Sequence, residues 1–318
     1  MSQPFPQLDA TGRLRHLLTL DGLPRTLIEE LLARAQAYAA GEARGDALAG
    51  LTVANLFGEP STRTRASFEL AALRLGAYVV NLDGALSSRA KGETLLDTVH
   101  TLLALRVGVF VMRDAESGTQ ELVARDLGDQ AAVVSAGESH LSHPTQGLLD
   151  ALTIRQCKGD LEALSIAIVG DIARSRVARS AHRALATLGV PDIRIVAPGA
   201  MMPGPTEFGG CRRFESLEAG IAGVDVVMAL RIQHERAGGG PVDLPAYCRE
   251  FGLTAARLAG ASPRAIVMHP GPMNRGVEID SDVADGPQSV IRRQVANGLA
   301  VRMAVLAQLA EARRARTR

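Results

Sequence analysis

Short apolar runs alternate with amphipathic stretches along almost the whole chain. Leu51-Thr52-Val53-Ala54-Asn55-Leu56-Phe57 reads as a buried strand, and Ala77 to Leu82, Val107 to Met112 and Ala131 to Val134 repeat the pattern. Between them lie helical stretches. Phe68, Ala72, Leu73 and Leu75 form one face ahead of a glycine stop at Gly76, and a second helix covers Glu93 to Leu105. Upstream, Thr26 and Glu29 match a capping box, with Ile28, Leu31, Leu32 and Ala35 as the apolar stripe of a first helix. Residues 1–20 read as a loosely held arm. The second half repeats the alternation with strands at Leu164 to Val169, Ile193 to Val196, Val224 to Leu230 and Ala265 to Met268. Val177, Ala181 and Leu185 supply one helical face in that half. A helix from Pro144 to Cys157 bridges the halves. A last helix from about Pro287 to Ala310 shows Val290, Ile291, Val295, Leu299 and Met303 on one side.

This alternation predicts an α/β protein of two doubly wound parallel-sheet domains with an interdomain cleft. The first domain takes residues 1–151 and the second 152–286, with a C-terminal helix in 287–318 packing back on the first.

Composition narrows the function. The chain has 318 residues, 47% of them apolar, and a formal charge of +1. That balance gives no electrostatic reason to expect nucleic acid or an anionic membrane as partner. Aromatics are only 3%, too few for base-stacking platforms. No run approaches the ~20 apolar residues of a membrane span, and Met1 to Leu20 lacks the apolar core of a signal peptide. Cys157, Cys211 and Cys248 are odd in number and lack metal-ligand spacing, which suits reduced thiols and a cytoplasmic protein. Neither a metal nor a cofactor is expected. Of 35 basic residues only Lys91 and Lys158 are lysine. A lysine retained under that bias suits a place needing a compact, mobile ammonium. Lys158 sits in a Cys-Lys-Gly-Asp turn. Lys91 closes the polar loop Asp83 to Gly92, the kind of segment that carries function on a rigid scaffold.

The chemistry concentrates in Glu59-Pro60-Ser61-Thr62-Arg63-Thr64-Arg65, at the carboxyl end of one strand and the start of a helix. Unsatisfied N–H groups and the helix dipole make such a place an anion site. Ser61, Thr62 and Thr64 add hydroxyl donors, and Arg63 and Arg65 add forked charge suited to phosphate. An ordinary capped helix with Ser61 or Thr62 as N-cap is the plainer alternative. Arg113 ends a strand, where solvation and ligand binding are both open readings. His143 stands just ahead of Pro144 at a helix start, as a cap or facing a ligand. In the second half no Gly-x-Gly-x-x-Gly occurs, which removes a nicotinamide dehydrogenase. Arg174, Arg176 and Arg179 stand where its glycines would be.

These motifs, taken in order over nearly the whole chain, resemble those of the aspartate and ornithine carbamoyltransferases. Glu59 to Glu69, Lys91 to Leu95, Met112-Arg113, His143 to Asp150, Val169-Gly170-Asp171 with Arg176, Arg231-Ile232-Gln233 and His269 to Glu278 carry the likeness. His143-Pro144-Thr145-Gln146 and His269-Pro270-Gly271-Pro272 match the aspartate branch; the ornithine branch is expected to carry His-Pro-Cys-Gln and His-Cys-Leu-Pro there.

The resemblance implies transfer of a carbamoyl group from carbamoyl phosphate to L-aspartate, in pyrimidine biosynthesis. It places Ser61, Thr62, Arg63 and Thr64 on the phosphate, and Arg113 between phosphate and carbonyl oxygen. Thr64, Arg113 and His143 would stabilise the oxyanion. Gln146 and the carbonyls of Pro270 and Gly271 would hold the carbamoyl amide. Arg176 and Arg231, with Gln233 in support, would take the aspartate carboxylates. Ser87 and Lys91 would enter the active site of a neighbouring subunit in a homotrimer. The 1–20 arm is similar to that of larger bacterial forms built with a dihydroorotase-like partner, which leaves such a partner, or a regulatory chain, open. Two other readings stay open: a carbamoyltransferase for another amine, and an inactive assembly subunit of the same fold.

Overall fold

The computed structural model describes residues 7–42, 45–83, 92–232 and 243–316. The chain divides into two compact units, Met1–Leu148 with Asn297–Arg318, and Leu149–Ala296.

In the first unit the order is α1 (Arg25–Ala40), β1 (Thr52–Phe57), α2 (Thr62–Arg74), β2 (Tyr78–Asp83), α3 (Leu95–Ala104), β3 (Val107–Asp114), α4 (Thr119–Leu127), β4 (Ala132–Glu138) and the start of α5 (Pro144–Lys158). The strands form a parallel sheet in the order β2-β1-β3-β4. β1, β3 and β4 are buried almost throughout, as expected where helices cover both faces. Because β1 continues to β2 on one side and has β3 on the other, the chain reverses direction between β1 and β3. Ligands gather outside the carboxyl ends of strands at such a reversal.

The second unit runs β5 (Ser165–Val169), α6 (Arg176–Thr187), β6 (Asp192–Val196), β7 (Arg212–Phe214), α7 (Leu217–Ile221), β8 (Val226–Ala229), α8 (Leu244–Phe251), α9 (Ala255–Leu258), β9 (Ile266–Met268) and α10 (Ser281–Ala284). Its parallel sheet has the order β7-β6-β5-β8-β9, so the reversal falls between β5 and β8. The last helix, α11 (Ile291–Arg316), begins in this unit and has most of its length in the first. There its Arg302 guanidinium lies 5.0 Å from the centre of the fully buried Phe68 ring. Burial lowers the pKa of Arg302 to about 10, which leaves it cationic at neutral pH.

Leu73, expected on the apolar face of α2, is 51% exposed, and three further expectations change. The described part of the N-terminal arm is tightly held: Leu17 donates to Val133 O (2.9 Å) and accepts from Ser135 N (2.8 Å), adding to the open edge of β4. Leu14 and Leu17 are fully buried, and the Gln7 side chain accepts from Leu18 N (2.6 Å) and Thr19 N (2.9 Å). Second, α1 starts on Pro24 with no side-chain cap; Glu29 pairs with Arg25 (3.0 Å) instead of completing a box with Thr26. Third, Val295 is 54% exposed, and polar Gln294 and Asn297 occupy the buried face beside Ile291. The Gln294 amide is hydrogen-bonded to His269 N and to Asp150 there, contacts that an apolar periodicity does not register.

Among the described residues, no helix is long and apolar enough to cross a membrane.

Candidate active site

In the first unit the candidate residues stand at the carboxyl ends of three consecutive strands. β1 ends at Phe57, and Gly58 N–H donates to Arg113 O (2.8 Å), tying the ends of β1 and β3 together across the reversal. A side chain at Gly58 would meet Asp114 Oδ2 at 3.3 Å, so the tie leaves little room. The chain then turns through Ser61 into α2. Ser61 is the N-cap by position, yet its hydroxyl makes no cap hydrogen bond. The first turn contains no acidic residue. Thr62 and Arg63 are exposed, while Thr64 is 8% exposed, with Ser67 Oγ donating to its carbonyl (2.9 Å). The turn therefore has the donors and charge of an anion site, with its capping hydroxyl not engaged on the helix.

Arg113, near the end of β3, donates to Ala136 O (3.2 Å) and holds Glu59 Oε2 at 3.2 Å from its Nε. Both side chains are mostly buried, at 14% and 16% exposure, so solvent and salt screen this pair less than a surface pair, against a larger desolvation cost. Glu59 is a functional candidate to which the sequence alone assigned no role. The available signal was an acid in an otherwise cationic turn. Beyond β4, His143 (4% exposed) precedes α5, and its carbonyl accepts from Gln146 N (2.9 Å) and Gly147 N (3.3 Å). Gln146 is 7% exposed in the first turn. The helix is thus started by the His143 carbonyl.

The second unit repeats the plan at its own reversal. After β5, Gly170 has φ +136 and approaches Leu230 so closely that a Cβ would lie 2.9 Å from Leu230 O. Leu230 N in turn donates to Val169 O (2.8 Å). This contact fixes the chain one residue before Arg231, just past β8.

The three arginines after β5 separate by environment. Arg174 pairs with the fully buried Asp171 (3.2 Å). Burial raises the Asp171 pKa, and Arg174 counters that rise. Arg179 pairs with Glu207 (2.5 Å), donates to Ala173 O (3.0 Å) and lies 5.4 Å from the Phe208 ring centre. Arg176 opens α6, just after its cap Ser175, and is 5% exposed. Of the three it is the one at the first position of the helix. Pro270 and Gly271 follow β9. Ser87, Lys91 and Gln233 lie outside the described residues. Lys158 donates to Arg264 O (2.9 Å) and lies 3.7 Å from Asp225, a local structural engagement. Among the described residues, no cluster of His, Cys, Asp and Glu is arranged to hold a metal ion.

A parallel α/β unit with a hydroxyl- and arginine-rich helix start, followed by a second α/β unit carrying its own arginines, suits an enzyme that gathers anionic substrates. Residues 15–156 match the aspartate/ornithine carbamoyltransferase carbamoyl-P binding domain, and residues 162–309 match the Asp/Orn binding domain of the same family. The chain belongs to the aspartate/ornithine carbamoyltransferase family and is an enzyme of that family.

Solved structures agree. The chain is similar to ornithine carbamoyltransferase from Thermus thermophilus, with 26% identity and a TM-score of 0.83 over 93% of this chain and 98% of that one. It is also similar to aspartate transcarbamoylase from Trypanosoma cruzi in complex with carbamoyl aspartate and phosphate, with 30% identity and a TM-score of 0.82 over 94% and 97%. The same Trypanosoma cruzi enzyme in complex with N-(phosphonacetyl)-L-aspartic acid gives 30% identity and a TM-score of 0.81 over 97% and 99%. Aspartate and ornithine enzymes are alike similar to this chain, so the likeness establishes the family and not the acceptor.

Proposed function

We propose that the enzyme transfers the carbamoyl group of carbamoyl phosphate to the amino group of L-aspartate, giving N-carbamoyl-L-aspartate and phosphate, a step of pyrimidine biosynthesis. The observation that carries the acceptor is the pair of arginines at the reversal of the second sheet. Arg176 opens the helix after β5, and Arg231 follows β8, the adjacent strand. Two guanidinium groups suit an acceptor with two carboxylates. Ornithine carries one carboxylate and an α-ammonium, its side-chain amine being the attacking group, and a second arginine would repel that ammonium. The His-Pro-Thr-Gln and His-Pro-Gly-Pro motifs point the same way.

In this reading Ser61, Thr62, Arg63 and Thr64 bind the phosphate. Thr64, Arg113 and His143 donate to the carbonyl oxygen as it becomes an oxyanion. Gln146 and the carbonyls of Pro270 and Gly271 hold the carbamoyl amide. Gln233 supports the acceptor, and Ser87 and Lys91 enter from a neighbouring subunit of a homotrimer. The aspartate amine attacks the carbonyl carbon, the bond from that carbon to the phosphate oxygen breaks, and the leaving phosphate takes the amine proton. A phosphate whose second pKa is about 6 can accept it, so no side-chain base is needed. Each oxyanion donor is worth about 3–4 kcal/mol of barrier, and positioning about 7–11 kcal/mol.

The test is acceptor choice. With carbamoyl phosphate fixed, L-aspartate should be carbamoylated and L-ornithine should not. Preference for ornithine or another amine keeps the family and overturns the acceptor. No turnover with any amine, with carbamoyl phosphate still bound, favours an inactive assembly subunit.

A further inference from the structure

We propose that Glu278 is a positioning residue: acting through His269, it fixes the Pro270–Gly271 peptide with the Pro270 carbonyl turned away from the imidazole, free to accept from the amide of a carbamoyl group. The identity of that ligand rests on the function proposed above; the relay itself does not.

β9 delivers His269 into the interior of the second unit, where it is 0% exposed. Gly271 N–H donates to His269 Nδ1 (2.9 Å). A ring nitrogen that accepts a hydrogen bond carries no proton, so the proton of the neutral ring sits on Nε2. Nε2 lies 3.2 Å from Glu278 Oε1 and donates to it. The same carboxylate oxygen accepts from Asn274 N–H (2.6 Å), closing the loop between His269 and Glu278. Behind the ring, His269 N–H donates to Gln294 Oε1 (2.9 Å), and Gln294 Nε2 donates to Asp150 Oδ1 (2.7 Å). His269 is therefore held at its backbone by one chain of bonds and at its ring by another.

The consequence lies in the peptide. The Pro270–Gly271 peptide is trans, and in a planar trans peptide the C=O and N–H point in opposite directions. Anchoring Gly271 N–H on the imidazole turns the Pro270 carbonyl away from His269. Gly271 itself has φ +67, a conformation glycine adopts without strain. Reversing the tautomer would set two N–H groups against each other and release that peptide.

A purely structural role accounts poorly for a carboxylate here. Burying a charge is costly unless its oxygens are satisfied. Glu278 is 2% exposed, and its Oε2 has no hydrogen-bond partner among the described residues. The group is held in spite of that cost, with Oε1 alone collecting both donors. What a carboxylate adds there is a stronger, charge-assisted acceptor that selects the Nε2–H tautomer.

Three phosphates separate the roles. Acetyl phosphate carries a methyl where carbamoyl phosphate carries its amide, and inorganic phosphate has neither. Glu278→Met removes the acceptor at similar volume. It should lower kcat/KM for carbamoyl phosphate about 10- to 100-fold, the worth of one or two buried hydrogen bonds. Inhibition by inorganic phosphate and by acetyl phosphate should stay within about twofold. Glu278→Gln keeps an acceptor oxygen and should restore most of the loss. Equal weakening of all three ligands, or no change in any, overturns the proposal.

A second measurement needs neither substrate nor a stable variant. The 15N spectrum of histidine-labelled wild-type enzyme should show His269 protonated on Nε2; protonation on Nδ1 overturns the relay. If the wild type does not use carbamoyl phosphate at all, the proposed function falls, and this spectrum alone decides the relay.

Discussion

Arg231 and Gly170 meet at the reversal of the second sheet, and they make different demands on one place. Arg231 supplies charge; Gly170 supplies room, since any Cβ there would press on Leu230 O at 2.9 Å. Arg231→Ala should raise the KM for the acceptor about 10- to 150-fold, the range of a charged hydrogen bond, with the KM for carbamoyl phosphate nearly unchanged. Steady-state kinetics with each substrate varied checks this, and equal loss for both would refute the assignment of Arg231 to the acceptor. Gly170→Ala changes no polar group yet combines a close contact with φ +136, so it should cost about 2 kcal/mol or more of stability. Urea unfolding of the variant measures that, and an unchanged midpoint would mean that the strand ends part easily. The sequence made the cations at this reversal legible because arginine types and motif spacing are local. The role of Gly170 was not legible, because the atom it must avoid lies 60 positions away in the chain. Glu59 and Arg113 give the same lesson in the first unit: each stands in its own motif, and only folding makes them a pair 3.2 Å apart.

At the scale of elements, buried strands were easy to read, whereas the largely exposed three-residue β7 and the short helices were not. β1, β3 and β4 are buried almost end to end, so each appears as an unbroken apolar run. α7, α9 and α10 have only five, four and four residues, too short to show a helical period. The described N-terminal arm escaped for another reason: it is held by backbone pairing to β4 and by one buried histidine. His16 Nδ1 accepts from Val133 N (3.1 Å). Burial first, then Arg15 and Arg316, lower its pKa to about 3. The folded state therefore keeps His16 neutral, while the unfolded chain protonates it near about 6.5. The stability it contributes is complete above the unfolded pKa. It is lost as the pH falls from about 6.5 towards 3, at about 1.4 kcal/mol per pH unit. His16→Gln retains an acceptor for Val133 and does not titrate. Between about pH 7 and about pH 5 the wild type should lose about 2 kcal/mol more stability than this variant. Urea unfolding of both proteins at the two pH values reads the difference; parallel losses would mean that the arm opens before His16 is protonated.

At the scale of the whole molecule the open matter is whether one chain makes one active site. The fold class followed from the strand–helix alternation, because two parallel sheets leave that signature wherever they occur. Assembly leaves no comparable signature, and here a single residue carries the argument. The chain has two lysines, and Lys158 is engaged locally with Arg264 and Asp225. Lys91 is the one that the family resemblance sends into a neighbouring subunit of a trimer. If it does so, Arg63→Ala disables each site from its own chain and Lys91→Ala disables it from the neighbour's chain. Each variant alone is then inactive. Dissociating the two, mixing them in equal amounts and reassembling them should restore activity. A site is complete only where the chain that hosts it carries Lys91→Ala and the chain that donates to it carries Arg63→Ala. Random assembly on a closed ring makes that about one site in four. Recovery of about a quarter of wild-type activity establishes shared sites. Two inactive variants with no recovery place Lys91 within its own chain, and a nearly fully active Lys91→Ala reduces it to a solvated loop charge.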